Sequence, residues 1–415
     1  MNEVLKKYPI EKVRAQFPAC DRVYKGKNVA YFEAAGAPQV VGGVIDEMRS
    51  YLSNGTAKKH AVTPTSHETE VLFAKSKEAL AAFVNADVDE IAFGSNATSL
   101  MTDVARALSR EWKKGDEIVV TELEHNANID TWRVAAEDKG LIVRFIPLDT
   151  KTLTLDYSDL KTIINDKTIL VAIGLGNNAV GTITDIKPVH DRAREVGAIF
   201  SVDASGGLPY FYVDFKALDI DMLFSSCYKF CGPYNGFAAI KKDLFKTIDV
   251  YRAGYGGPSV PDMLEVGTQS YTAAIGVRRA VEFYASLGAG NTLNEQIQSG
   301  YKLLGEYENA LADYLRAELK KIPEIRLYQA PDDVSKSACV AFQVDGMTQE
   351  EFVGTLCEDY SIFLTEGHYL NVNTAVKCGV DKTGYFVRAS FAPYSTKEEA
   401  DRLITAAKEI IAAKK

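Results

Sequence analysis

No stretch of this 415-residue chain reads as a signal peptide or a membrane span. Met1 to Pro9 has no apolar core of the kind a secretory signal needs. The longest apolar run, Ile169 to Gly176, is too short to cross a bilayer. There is no basic block and the net charge is −9, which disfavours a nucleic-acid partner. The six cysteines (20, 227, 231, 339, 357, 378) follow no regular spacing, so no disulfide framework is expected and a reducing cytoplasm is. Cys227 and Cys231 have no second Cys/His cluster nearby, so no metal site is expected. Internal repeats, low-complexity tracts, a P-loop and a GxGxxG motif are all missing.

What remains is an ordinary globular composition, 47% hydrophobic and 25% charged, in a chain long enough for two domains. A short amphipathic helix is expected over 3–17, a strand over 28–33, and helices over 40–52 and 66–84. Strands then follow at 90–93, 117–121, 142–146, 168–173, 198–202, 220–224 and 237–240. Helices lie between most of them, as at 99–113, 128–139 and 185–196. This alternation implies an α/β fold with a mainly parallel central sheet and helices on both faces. The C-terminal part reads as long helices over 272–318, broken at Gly288-Ala289-Gly290. After them come strands at 325–328, 339–344, 361–365 and 385–391, helices at 349–359 and 396–413, and a loop over 366–384: a small α+β unit. The expected division is a large domain over 28–287 and a small one made of 1–27 and 288–415.

Ligands in such sheets bind at the carboxyl ends of the strands, and the residues found there carry the chemistry. Asn96-Ala97-Thr98-Ser99 opens a helix with small and hydroxyl residues, which suits an anion and equally a plain helix cap. His125 stands where it can stack on a planar ligand or move a proton, or it is a loop histidine. Asn178 offers an amide donor, or turn chemistry. Asp203 closes an apolar strand, where a carboxylate needs a cationic partner. Lys229 follows the strand ending in Ser225-Ser226 and is flanked by Tyr228 and Phe230. It is a surface lysine, or one whose desolvated amine attacks a carbonyl to form a Schiff base. Pyridoxal 5'-phosphate requires this ordered set: phosphate held, ring stacked, ring nitrogen kept protonated, aldehyde captured.

With those residues in place, the chain from about Tyr31 to Leu403 resembles the class V aminotransferase family. These are fold-type I pyridoxal-phosphate enzymes, and the branch in question holds the cysteine desulfurases. The resemblance lies in Asn96 to Ser99, Glu124-His125-Asn126-Ala127-Asn128, Asn178-Ala179-Val180-Gly181-Thr182, Val202-Asp203-Ala204, Tyr228 to Pro233, and Arg388-Ala389-Ser390-Phe391. It implies catalytic roles for Lys229, His125 and Asp203. Cofactor contacts are implied from Ala97, Thr98, His125, Asn178, Asp203, Ser205, Ser226, Tyr228 and Lys229. Thr268, in Glu265-Val266-Gly267-Thr268, would reach the phosphate of the partner subunit in a homodimer. Arg388, His368 and Ala35 would meet the substrate, with Arg388 taking its carboxylate.

Two positions depart from the family pattern. Gly206 replaces the usual glutamine three residues after the aspartate, and Leu370 replaces the cysteine that carries persulfide in the desulfurases of nearest type. Cys378 lies eight residues further along the same connection. The expected activity is desulfurase-like or C–S lyase chemistry, by β-elimination from a small amino acid bound through a Lys229 aldimine. Transamination or Cα epimerisation is the alternative, and a non-catalytic pyridoxal-binding protein is the reading from another class.

Overall fold

Seven apolar runs bounded by turn residues form one sheet: β1 (Ile91–Gly94), β2 (Glu117–Thr121), β3 (Ile142–Ile146), β4 (Thr168–Gly174), β5 (Ile199–Asp203), β6 (Met222–Ser226) and β7 (Gly236–Ile240). The structure is a computed structural model that describes residues 2–251 and 260–414. The strand order is β3-β2-β4-β5-β6-β7-β1, and only β7 runs antiparallel to its neighbours. The central strands are buried on both faces, as a parallel sheet between helical layers must be. Alternate side chains feed two separate cores: Ile118, Val120, Leu170 and Phe224 enter one, and Val119, Val171, Ile173 and Leu223 the other.

The covering helices are α1 (Gly42–Asn54), α2 (Pro64–Val84), α3 (Ala97–Leu108), α4 (Ala127–Lys139), α5 (Lys187–Val196) and α6 (Tyr271–Ser286). The long helix α7 (Leu293–Leu319) begins at a capping box in which Thr292 and Glu295 satisfy each other's backbone N–H groups. A second sheet, antiparallel and four-stranded, follows with order β8 (Ile325–Tyr328), β9 (Cys339–Val344), β11 (Phe386–Ser390), β10 (Thr365–Gly367). Helices α8 (Gln349–Tyr360), α9 (Val372–Lys377) and α10 (Lys397–Ala413) accompany it. Among the described residues, no helix is long and apolar enough to cross a membrane.

Four expected elements differ. The helix expected over 3–17 is two helices, Asn2–Lys7 and Ile10–Arg14, because Pro9 supplies no N–H to continue the first. The strand expected over 28–33 is broken into pieces with different partners: Asn28 pairs with Val23 in a short hairpin, Ala30–Tyr31 lies parallel to Ile362–Phe363, and Glu33 bridges to Ser390. The strand expected over 361–365 changes partner at Leu364: Ile362–Phe363 joins the N-terminal segment, whereas β10 joins β11. The loop expected over 366–384 contains α9. These exchanges lay the Phe32–Ala35 segment along β11, where the Ser390 N–H donates to the Phe32 carbonyl at 2.9 Å. Ala35 thereby reaches the carboxyl edge of the large sheet.

Candidate active site

The carboxyl ends of β1, β2, β4, β5 and β6 meet in one cleft, lined by residues just beyond each strand. Lys229 sits in the 3-10 turn Cys227–Phe230 that follows β6. Its Nζ donates to the Ala35 carbonyl at 2.7 Å. Burial strips water from the ammonium and the Arg388 guanidinium repels it. Asp203 offsets part of this, and the pKa falls from 10.5 to about 7. The Asp203 carboxylate ends β5, is 6% exposed, and accepts the Ser205 N–H at 2.9 Å. His125 stands between β2 and α4. Its Nδ1 accepts the Ala127 N–H at 3.1 Å, which leaves the proton of the neutral ring on Nε2. Burial holds this histidine below its ordinary pKa, against the pull of Asp203.

At the other side of the cleft, α3 points its N-terminus inward. Asn96 caps it, taking the Ser99 N–H at 2.9 Å, and the Ala97 N–H donates to Ser226 Oγ at 3.0 Å. The Thr98 side chain is exposed here. Gly236 on β7 passes so close that a Cβ there would stand 2.4 Å from the Asn96 carbonyl carbon. Helix N-terminus and hydroxyls together form an anion cradle. Tyr228 stacks on Tyr234 with 5.0 Å between ring centroids.

The second sheet supplies the remaining wall. Arg388 on β11 is 3% exposed, and its Nη1 donates to the Asn178 carbonyl at 2.5 Å. The guanidinium lies over the Tyr369 ring, 3.8 Å from Cζ to centroid, while Nε is buried without a partner. Gly36 makes room for it, since a Cβ at 36 would stand 3.0 Å from Nη2. Tyr369 and Leu370 have φ of 52° and 58°, a conformation that non-glycine residues adopt only when held. Asparagines hold them. Asn371 Nδ2 donates to Asn178 Oδ1 at 2.8 Å, Asn178 Nδ2 to the Tyr369 carbonyl at 3.2 Å, and Asn177 Nδ2 to Asn371 Oδ1 at 2.7 Å. The Asn126 N–H donates to the Leu370 carbonyl at 2.6 Å.

Ala97, Thr98, His125, Asn178, Asp203, Ser205, Ser226, Tyr228 and Lys229 thus line one cleft. Ala35 joins them through Lys229, and Arg388 through Asn178. His368 lies outside that lining: its Nδ1 accepts the Leu370 N–H at 3.0 Å and its ring meets the edge of Tyr385. Thr268 is exposed and also outside it.

The family profile described as "Aminotransferase class-V" matches residues 30–403. The chain belongs to the class V aminotransferase family. Curated relatives of this class V chain include a cysteine desulfurase of Pectobacterium carotovorum, 29% identical over 420 residues, covering 97% of this chain and 98% of the relative. A cysteine desulfurase of Salmonella choleraesuis is 30% identical over 414 residues, covering 96% and 97%. Among solved structures, the cysteine desulfurase of Thermococcus onnurineus NA1 superposes with a TM-score of 0.87 at 26% identity, covering 98% of each chain. The cysteine desulfurase CsdA (S-sulfonic acid) of Escherichia coli gives 0.85 at 25%, covering 98% and 99%. The fold is therefore that of the fold-type I enzymes.

Class V aminotransferases are pyridoxal-phosphate enzymes, and this chain's cleft fits that cofactor. The amine at its floor has its pKa lowered to about 7, a helix N-terminus opens into it, and Ser205 Oγ is buried there without a partner. Gly206 leaves no room for the family glutamine, because a Cβ at 206 would stand 2.0 Å from the Gly176 carbonyl oxygen. Leu370 is 53% exposed, on the loop pinned by the asparagines. Cys378 caps the C-terminal end of α9, outside the cleft lining, and burial pushes its thiol up to about 11. Sequence reasoning passed over Glu124, Tyr369 and Asn371. Glu124 had a signal available: like Asp203, it is an acidic residue just past an apolar strand. Tyr369 and Asn371 had none, because their partners lie far away in the chain.

Proposed function

We propose that this class V enzyme acts on a small β-substituted amino acid, cleaving a C–S bond in the manner of the cysteine desulfurases it resembles. The observation that carries the reading is the position of Lys229, whose depressed amine shares one cleft with Asp203, His125 and the free edge of Arg388. Bound pyridoxal phosphate supplies an aldehyde that captures amino groups and an electron sink for charge developing at Cα. Lys229, Asp203 and His125 are the proposed catalytic residues. Ala97, Thr98, Asn178, Ser205, Ser226 and Tyr228 are proposed to hold the cofactor, and Arg388, Ala35 and His368 to meet the substrate.

Each of these residues has a task that follows from its chemistry. The α3 N-terminus, with Thr98 and Ser226, holds the phosphate. Asp203 keeps a proton on the ring nitrogen, and the His125 ring covers one face. Asn178 has a second amide hydrogen to offer a ring oxygen. Arg388 takes the substrate carboxylate through Nε and Nη2, its plane fixed by Tyr369. Lys229 Nζ, once neutral, removes the Cα proton as general base.

The proposed domain division, 28–287 against 1–27 with 288–415, assigns Lys229 to one unit and Arg388 to the other. A homodimer is also proposed. Glu265 is anchored by the Phe93 N–H at 3.0 Å and by Lys77 at 2.8 Å, whereas Val266 to Thr268 project as an exposed tip. That tip suits the phosphate of a second copy. The six free cysteines favour a cytoplasmic setting.

Borohydride reduction of the cofactor-loaded protein is expected to fix pyridoxyl mass on Lys229. Incubation is expected to give sulfide, ammonia and pyruvate from cysteine, thiocysteine, ammonia and pyruvate from cystine, or sulfite and alanine from cysteine sulfinate. No such product from any of the three would sink the C–S cleavage reading. Transamination is the second reading, favoured by Leu370 where a sulfur-accepting cysteine would stand. It predicts conversion of bound cofactor to its amine form by common amino donors.

A further inference from the structure

Two carboxyl groups share the floor of the cleft, and only one of them faces cations. Asp203 is 6% exposed and Glu124 3%. Asp203 acts on both Lys229 and His125, and Arg388 from β11 acts on the same two. The groups acting on Glu124 are Asp203, the Asn128 side chain and the N–H groups of His125 and Gly174, and none of these is a cation. Its oxygens accept the Gly174 N–H at 2.6 Å, the His125 N–H at 3.1 Å and the Thr121 hydroxyl at 3.4 Å. Two carboxylates in one dry pocket repel each other, so the pair retains a proton on the member without a cation. Burial, with Asp203 adding to it, pushes Glu124 up to about 8.

The chain is built around this carboxyl. Gly174 ends β4 directly against it, and a Cβ at 174 would stand 2.4 Å from Glu124 Oε1. Asn128 gives its oxygen to the Trp132 indole at 3.1 Å, which fixes its amide beside Glu124.

We propose that Glu124 is a positioning residue that acts through Asp203: it holds the one proton of the pair, so that a single negative charge faces the cofactor's ring nitrogen. When Glu124 ionises, a second negative charge joins Asp203 in the pocket, and a ring nitrogen held by Asp203 would keep its proton more tightly. The enzyme thus carries an electrostatic setting that changes in mild alkali. The proposal rests on the pyridoxal-phosphate reading of the site.

Two measurements test it. In the cofactor-free protein, the infrared difference between wild type and Glu124→Gln is expected to show a neutral carboxylic acid at about pH 6. That signal should fade with a midpoint near 8. In the loaded protein, the absorbance of the bound cofactor is expected to inflect near the same pH in wild type and to lose that inflection in Glu124→Gln. If Glu124→Gln does not fold, Gly174→Ala keeps the acid but displaces it, and the inflection is expected to move. An infrared difference with no neutral acid would overturn the proposal, as would an inflection identical in wild type and the variant. Failure to label Lys229 with pyridoxyl would count against the cofactor reading alone and leave the infrared result standing.

Discussion

Lys229 is the side chain whose chemistry is set most completely by its surroundings. An ordinary lysine at neutral pH carries its proton almost always, so the amine that attacks an aldehyde is scarce. Here burial and Arg388 bring the pKa to about 7, and half the population is neutral at that pH. Because the shift is downward, the neutral amine is lost below pH 7 and complete about two units above it. The rate at which the cofactor-free protein takes up pyridoxal phosphate should therefore climb from pH 5 to 7 and level off by about 9. An unshifted lysine would still be climbing tenfold per unit at pH 9 and would level off only above about 10. Stopped-flow absorbance across this range distinguishes the two. Asp203 and Lys229 were legible in the sequence because a charged residue beside an apolar strand is itself an anomaly. Arg388 was legible only through resemblance, since nothing in its own strand says what faces it. Tyr369, which stacks on that arginine, was not legible at all.

The same reasoning holds for whole elements. The inner strands β2, β4, β6 and β7 could be read to within a residue or two because both of their faces are buried, so that their sequences are nearly continuous apolar runs. Elements whose limits depend on a partner were misread, as at Ile362–Phe363 and Ala30–Tyr31, which exist as strands only through each other. The α3 N-terminus is another element set by a distant contact, since Gly236 supports it from β7. A Cβ at 236 would stand 2.4 Å from the Asn96 carbonyl carbon and 2.8 Å from the Ala97 nitrogen, both rigid backbone. Gly236→Ala should therefore push the cap outward and open the phosphate cradle. A displacement of this kind costs about 1–3 kcal/mol. Cofactor affinity, measured by fluorescence titration of the cofactor-free protein, should fall tenfold or more while Lys229 labelling survives at saturating cofactor. Unchanged affinity would mean that α3 does not hold the phosphate.

At the scale of the molecule, several remote stretches converge on a buried acid that has no part in the cleft. Glu308 on α7 is 1% exposed, and neither of its oxygens has a hydrogen-bond partner. It acts on Tyr8 from the N-terminal segment, Tyr210 beyond β5, Cys231 beyond Lys229, Tyr284 on α6, and Tyr301 and Tyr307 on its own helix. Tyr8 stacks on Tyr307 at 4.0 Å and donates to the Pro393 carbonyl at 3.0 Å, so the chain's beginning and end close over this acid. Burial raises its pKa well above the ordinary 4.5. The folded protein thus binds this proton more tightly than the unfolded chain does. Stability from this group is complete below about pH 4.5 and declines as pH rises toward the folded value. Glu308→Leu removes both the unpaired acid and the linkage. It should raise the melting temperature at pH 8 more than at pH 5, by the equivalent of about 1–3 kcal/mol at the higher pH. Calorimetry of wild type and variant at the two pH values decides this. A variant less stable at pH 8 would mean that the carboxyl is held by partners and contributes to the junction, so that the meeting of the N-terminal segment, α6 and α7 depends on a polar contact rather than on the tyrosine rings around it.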